Sequence, residues 1–204
     1  MNIYLVRHGE TEANFSGIYY GKNEYDLTKR GIEQSKKLSI LLKKINFDKI
    51  YISEKKRTLK TANEIFQNKY KSQEFIVDSR INEMDLGEFE GKNYKDIEKL
   101  YPIHWEKWCS DWKNVSPPGG ESYVQFYTRV KSFMQDILKM KAENILIITH
   151  SGVIRSIYCW VLNDNIDLFW KFASHNGDLS IIKYEYNNLY IDSIICLDGI
   201  NVIN

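Results

Sequence analysis

Three short apolar runs, each followed by a stretch with helical periodicity, confine this chain to one broad architecture. Asn2 to Val6, Lys49 to Ser53 and Asn144 to Thr149 are rich in Ile, Leu, Val or Tyr, the composition of strands buried on both faces. After the first run, Thr28 can cap a helix whose apolar face passes through Ile32, Leu38, Leu41, Leu42 and Ile45, and a second helix is expected over Lys56 to Gln67. Strand and helix in alternation imply βαβ crossovers and a mainly parallel sheet with helices on both faces. Ile181 to Tyr186 and Leu189 to Cys196, joined at Asn187 and Asn188, read as an antiparallel hairpin near the edge. The expected fold is α/β: a three-layer α/β/α sandwich whose mainly parallel sheet has an antiparallel edge.

A chain of 204 residues suits a single domain over 1–204. Between Ile81 and Lys141 the pattern loosens, with Gly87, Gly91, Pro102 and the turn from Ser116 to Gly120 interrupting helical segments. This stretch, about 81–141, is expected to be a helical cap inserted over the sheet.

With 28 basic and 27 acidic residues the formal charge is +1, so no overall field favours nucleic acid or an anionic membrane, and a small-molecule partner is expected. Cys109, Cys159 and Cys196 are odd in number and lack C-x-x-C spacing, which argues against a disulfide framework and a thiolate zinc site and fits a reducing cytoplasm. The N-terminal apolar run gives way at Arg7, His8 and Glu10, too soon for a signal peptide, and the run from Val153 to Leu162 is interrupted by Arg155, so no membrane span is expected.

Ligands of open α/β sheets bind beyond the carboxyl ends of the strands. The first strand ends in Arg7-His8-Gly9-Glu10-Thr11, the second in Ser53 followed by Arg57, and the third in Thr149-His150-Ser151-Gly152. Two arginines and two histidines crowded together repel one another unless an anion sits among them, and phosphate suits the planar fork of donors that arginine offers. A histidine held neutral by a hydrogen bond at its other nitrogen can attack phosphorus and form a phosphoramidate; the second histidine would donate to the equatorial oxygens. Departure of the alcohol needs a proton, and Glu83 is the expected donor, with Asp85, Glu88 and Glu90 as nearby competitors. No D-x-D or H-x-H spacing calls for a metal, and no cofactor is expected.

These residues resemble the phosphoglycerate mutase-like histidine phosphatases. Arg7 to Thr11 with Asn14, then Gly21, Leu27-Thr28 and Gly31 with Gln34, match the opening signature of that family, and Ser53, Arg57, Thr61-Ala62, Glu83, Gly87, Glu90-Gly91 and His150 continue it. The resemblance implies His8 as nucleophile, Glu83 as proton donor, and Arg7, Arg57 and His150 around the phosphate. It also implies Asn14 as a further phosphate ligand, with Gly21 and Ser151 among the substrate-contacting positions. Glu54-Lys55, Asp26 and Ser151 depart from the family's usual Pro-Leu, proline and glycine, departures that bear on the entrance more than on the chemistry.

Trp112 to Arg129, with Pro118-Gly119-Gly120-Glu121-Ser122, Phe126 and Arg129, looks closest to the α-ribazole phosphatases of cobalamin biosynthesis. The implied activity is hydrolysis of α-ribazole 5′-phosphate. The alternatives are a broad phosphatase of small metabolites, a phosphoglycerate mutase, disfavoured because the chain is short for one, or a binder of phosphorylated ligands without catalysis. Trp105, Trp108 and Trp112 stand at i, i+3 and i+7, which would set them on one helical face, either packing or lining the entrance. Glu121 and Ser122 either cap the helix that follows them or touch the substrate, with capping the favoured reading.

Overall fold

Each apolar run becomes a strand. The computed structural model describes residues 1–67 and 74–197, so the rest of the 1–204 span lies outside the described residues. The strands are β1 (Asn2–Arg7), β2 (Lys49–Ile52), β3 (Ile76–Val77), β4 (Asn144–Thr149), β5 (Leu179–Glu185) and β6 (Asn188–Ile195). They form one sheet in the order β3-β2-β4-β1-β5-β6. β1 pairs in parallel with β4, as β2 does with β4 and β3, whereas β5 runs antiparallel to both β1 and β6. The hairpin turns one residue earlier than expected. Tyr186 and Asn187 both have positive φ, 52° and 60°, the primed-turn geometry that matches strand twist, and Asn188 already belongs to β6.

The helices are α1 (Glu12–Phe15), α2 (Lys29–Leu42), α3 (Lys56–Phe66), α4 (Tyr94–Leu100), α5 (Pro102–Ser110), α6 (Tyr123–Leu138) and α7 (Ser151–Val161). Thr28 caps α2, its side chain accepting from the Gly31 N–H. The buried face of α2 is Gly31, Gln34, Ser35, Leu38 and Leu42. Leu41, expected inside, is 45% exposed, and Ile45 lies past the helix end. The departure has a packing reason: small and amide side chains fill the side of α2 that meets the loop after β1, where Gly9 and Gly31 approach too closely for a Cβ.

Alternate residues of the central strands feed two cores. Ile3, Leu5, Ile145 and Ile147 pack with α6 and α7, whereas Val6, Leu146 and Ile148 pack with α2 and α3. That is the three-layer sandwich. All seven residues are 0% exposed, so cutting any of the leucines or isoleucines back to alanine should cost about 2–5 kcal/mol. α6 lies within the stretch expected as a cap, yet its Phe126, Val130, Phe133 and Ile137 belong to the main core. Above the sheet, a smaller cluster of Leu86, Phe89 and Ile97 gathers Tyr19, Tyr101, Trp105 and Trp108. No helix among the described residues is long and apolar enough to cross a membrane.

Candidate active site

The sheet order sets the place of the site. β1 and β4 are neighbours, and the helices that follow them go to opposite faces, so their carboxyl ends open a crevice of the kind in which α/β proteins bind ligands. Arg7 closes β1 and His8 follows it; His150 follows β4 and precedes α7. Arg57 enters from the first turn of α3. A cavity of about 310 Å³ at this point is lined by Arg7, His8, Asn14, Arg57, Glu83 and Ser151, among others.

The floor of the cavity is buried and densely hydrogen-bonded. His8 is 3% exposed, and its Nδ1 lies 2.8 Å from the Gly9 carbonyl oxygen. An acceptor there requires Nδ1 to carry the proton and leaves a lone pair on Nε2. Burial, followed by the charges of Arg57 and Arg7, holds His8 well below the ordinary imidazole range, so the ring is neutral and nucleophilic near neutrality.

Arg57 is fully buried. It donates through Nη2 to the Gly21 carbonyl (2.8 Å), through Nη1 to the Asn23 carbonyl (3.0 Å) and through Nε to His150 Nδ1 (3.2 Å), and Tyr20 stacks beneath it at 4.6 Å. Those bonds use three of its five N–H groups, and the Glu24 carboxylate stands 3.9 Å from Nη1. The Glu90 carboxylate holds the loop that supplies these carbonyls, accepting from the N–H groups of Gly21, Lys22 and Asn23. Glu90 is therefore occupied in positioning. Gly21 itself does not line the cavity; its contribution is the carbonyl that fixes Arg57.

His150 is 0% exposed, and both its nitrogens are engaged: Nδ1 accepts from Arg57 and Nε2 lies 2.8 Å from Ser53 Oγ. Nε2 thus carries the proton. Burial, then Arg57 and His8, hold its pKa well below the usual value. In this arrangement His150 orients Arg57, and its ring stands 5.2 Å from that of His8. Arg7 donates to the Ser174 carbonyl at 2.5 Å, and its Nε is buried without a partner. Asn14 Oδ1 accepts from the Thr11 backbone (3.2 Å) and from Asn176 Nδ2 (3.1 Å), so its amide N–H₂ is the end left for an anion. Ser151 lines the cavity, with its hydroxyl 3.4 Å from the Ser174 carbonyl.

Glu83 stands on the opposite wall. Its Oε2 accepts from the Gly152 N–H at the start of α7 (3.1 Å), and its Oε1 from the Met84 N–H (3.1 Å). A Cβ at residue 152 would come within 2.3 Å of Glu83 Oε1, so only glycine lets the carboxylate sit there. Arg129 holds the segment that carries Glu83. It donates to the carbonyls of Arg80, Asn82 and Glu83 while pairing with Glu121. Ser122 caps α6 in a capping box with Gln125, as expected, whereas Glu121 takes no part in the cap and instead accepts from the Asp85 N–H and pairs with Arg129. Asp85 pairs with Lys22, so of the four acidic candidates Glu83 is the one that lines the cavity.

The outer part of the cavity is aromatic. Trp108, Trp112, Tyr19 and Trp170 line it. The three sequence tryptophans do not share a helical face, because α5 ends at Ser110 and Trp112 lies beyond it, against Tyr123 and Phe169. Trp105 packs on Phe89 and Tyr19 without lining the cavity. Arg155, read from sequence only as a break in an apolar run, lines the cavity as well. Away from it, His175, Asp178 and Cys196 bring possible ligand atoms within 4.8 Å of one another, a grouping that sequence spacing did not suggest.

Comparison with known proteins follows the same lines. The profile described as "Histidine phosphatase superfamily (branch 1)" matches residues 3–196. The chain is 32% identical over 183 residues to the adenosylcobalamin/α-ribazole phosphatase of Escherichia coli (strain K12), covering 89% of each chain. It is 34% identical over 186 residues to phosphoserine phosphatase 1 of Hydrogenobacter thermophilus, covering 91% of this chain and 87% of that one. The crystal structure of the α-ribazole phosphatase from Shigella flexneri superposes with a TM-score of 0.86 at 30% identity, covering 94% of each chain.

Proposed function

The chain belongs to the histidine phosphatase superfamily and is a phosphatase, and from that premise we propose that it hydrolyses α-ribazole 5′-phosphate through a phosphohistidine formed on His8. The observation that carries the mechanism is the buried neutral imidazole whose Nδ1 proton is held by the Gly9 carbonyl. With Nε2 unprotonated and guanidinium groups on either side, a phosphate dianion placed between Arg7 and Arg57 presents phosphorus to the lone pair. Arg7, the remaining N–H groups of Arg57 and the Asn14 amide neutralise the equatorial oxygens. His150, which does not itself line the cavity, keeps Arg57 in register through its Nδ1.

The reaction divides into two steps. His8 Nε2 forms the N–P bond as the P–O bond to the alcohol breaks, and Glu83 delivers a proton to the departing oxygen. A water then attacks phosphorus, Glu83 accepts its proton, and the P–N bond breaks to restore neutral His8 and release phosphate. Nothing in this sequence requires a metal.

The substrate reading rests on the aromatic outer cavity formed by Tyr19, Trp108, Trp112 and Trp170. Flat walls suit the dimethylbenzimidazole ring of α-ribazole, and relatives bearing that activity in their names cover nearly the whole chain. The similarity to a phosphoserine phosphatase supports a second reading, a phosphatase of small monoesters generally. Phosphate release from α-ribazole 5′-phosphate, phosphoserine, 3-phosphoglycerate and p-nitrophenyl phosphate, with chelator present, separates the two. The riboside is expected to exceed phosphoserine in kcat/KM by about 100-fold or more, as a matched pocket discriminates. Comparable values for all would sink the substrate assignment and leave the phosphatase standing.

A further inference from the structure

One half-buried arginine stands in the cavity without a polar partner among the described residues. Arg155 follows Gly152 by three residues on α7, so it rises from the same helix face that gives Glu83 a backbone N–H. Every other arginine is held by an oxygen: Arg7 by Ser174, Arg30 by Glu10, Arg57 by Gly21 and Asn23, Arg80 by Asp78 and Asp136, and Arg129 by Glu121. Among the described residues Arg155 has no hydrogen bond or ion pair, and its Nε is buried and unsatisfied. Its guanidinium rests 5.6 Å from the Trp170 ring and 5.7 Å from the Phe169 ring. Such ring contacts offset part of the cost of taking a cation from water, but they satisfy none of its in-plane donors.

Two further facts narrow what Arg155 waits for. Glu83 lines the same cavity and its charge opposes the lowering that burial imposes on Arg155, and hydrogen-bond acceptors are what the guanidinium lacks among the described residues. Its location is intermediate. It feels Glu83 and adds to the positive field at Arg7 on one side, and it touches the aromatic wall on the other. A leaving group that extends from the phosphate to that wall shares the cavity with it. Glu83 is the one acidic side chain among the described lining residues, and it serves the departing oxygen, so the ammonium of an amino-acid leaving group would face Arg155 without an acceptor of its own.

We propose that Arg155 is a specificity-determining residue whose guanidinium donates to the vicinal hydroxyls of a pentose, so that the site takes 5′-phosphates of ribosides bearing a flat aromatic base. The planar fork spaces its N–H groups for two adjacent oxygens. With the sugar there, the base lies between Trp108 and Trp112. This rests on the phosphatase reading above and adds the recognition of the sugar.

The test compares α-ribazole 5′-phosphate and adenosine 5′-phosphate with their 2′,3′-dideoxy analogues, and all four with phosphoserine, on wild-type, Arg155→Met and Arg155→Lys chains, reading kcat and KM separately. Wild type is expected to favour each riboside over its dideoxy partner by at least about 10-fold in kcat/KM, mostly through KM. Arg155→Met should bring that ratio close to one, and Arg155→Lys should restore part of it. A general structural defect would lower both partners together and leave the ratio in place. Three results would overturn the proposal: no preference in wild type, a preference that survives Arg155→Met, or phosphoserine being the substrate that this variant loses most. If α-ribazole 5′-phosphate is a poor substrate while the diol ratio holds for adenosine 5′-phosphate, the parent substrate assignment fails and the role of Arg155 stands. Absence of His8-dependent release from every ester removes both.

Discussion

The floor and the mouth of one cavity are built in opposite ways. At the floor, Arg57 and His150 are fully buried, tied to each other, and held by Ser53 and the carbonyls of Gly21 and Asn23. At the mouth, Trp170 is 59% exposed and Arg155 has no polar partner among the described residues. The floor groups come from strand ends and first helical turns, whose backbone is fixed by the sheet; the mouth gathers Tyr19 from the loop after α1, Trp108 and Trp112 from between β3 and α6, and Arg155 and Trp170 from α7 and the segment after it. A reaction needs atoms fixed in advance where charge develops, whereas recognition of a leaving group needs shape and a few donors. The chemistry is therefore carried by groups whose positions are fixed by many hydrogen bonds, and the choice of substrate by side chains left open around them.

Glu83 joins the two regions, and its removal gives the larger of two effects that probe the contrast. Glu83→Gln keeps the shape and loses the transferable proton. Turnover of an alkyl monoester should fall by about 10²–10⁴-fold, while p-nitrophenyl phosphate, whose leaving group departs as a stable anion, should lose much less in the first step. Equal losses on both esters in the rate of phosphoenzyme formation, the step in which the leaving group departs, would mean that Glu83 positions the substrate without protonating it.

The smaller effect concerns the floor alone and is read as stability. His8 and His150 are both held well below 6.5 by burial. Below that pH the unfolded chain binds protons that the folded chain refuses, so stability falls as pH drops from about 6.5 towards the folded values. The slope approaches about 1.4 kcal/mol per pH unit for each histidine. His150→Gln should remove part of that slope in thermal melts between pH 6.5 and 5. An unchanged slope would show that the floor histidines are not neutral by burial.

The sequence exposed the floor almost completely, because each of its groups sits within a few residues of a recognisable strand end. Arg7-His8 and Thr149-His150 were placed by periodicity, and the crevice between β1 and β4 follows from their being neighbours. The role of His150 in holding Arg57 was not visible, since it depends on which nitrogen faces which donor. The mouth was legible only in part. Trp112 leaves the expected stripe because α5 stops at Ser110, and Arg155 read as an interruption because a lone charge on an apolar helix has no pattern of its own. α6 was assigned to the cap, although its apolar face packs against the sheet. The two-residue β3 was too short to register.

The most direct measurement is mass analysis of the protein after millisecond mixing with α-ribazole 5′-phosphate and alkaline quench, which preserves phosphohistidine. The wild-type chain should carry one added phosphoryl group on His8, and His8→Ala should carry none and release no phosphate while melting at close to the wild-type temperature. Phosphate release by His8→Ala at a rate near wild type, or a phosphoryl group on any other residue, would contradict the assignment of His8 as the nucleophile.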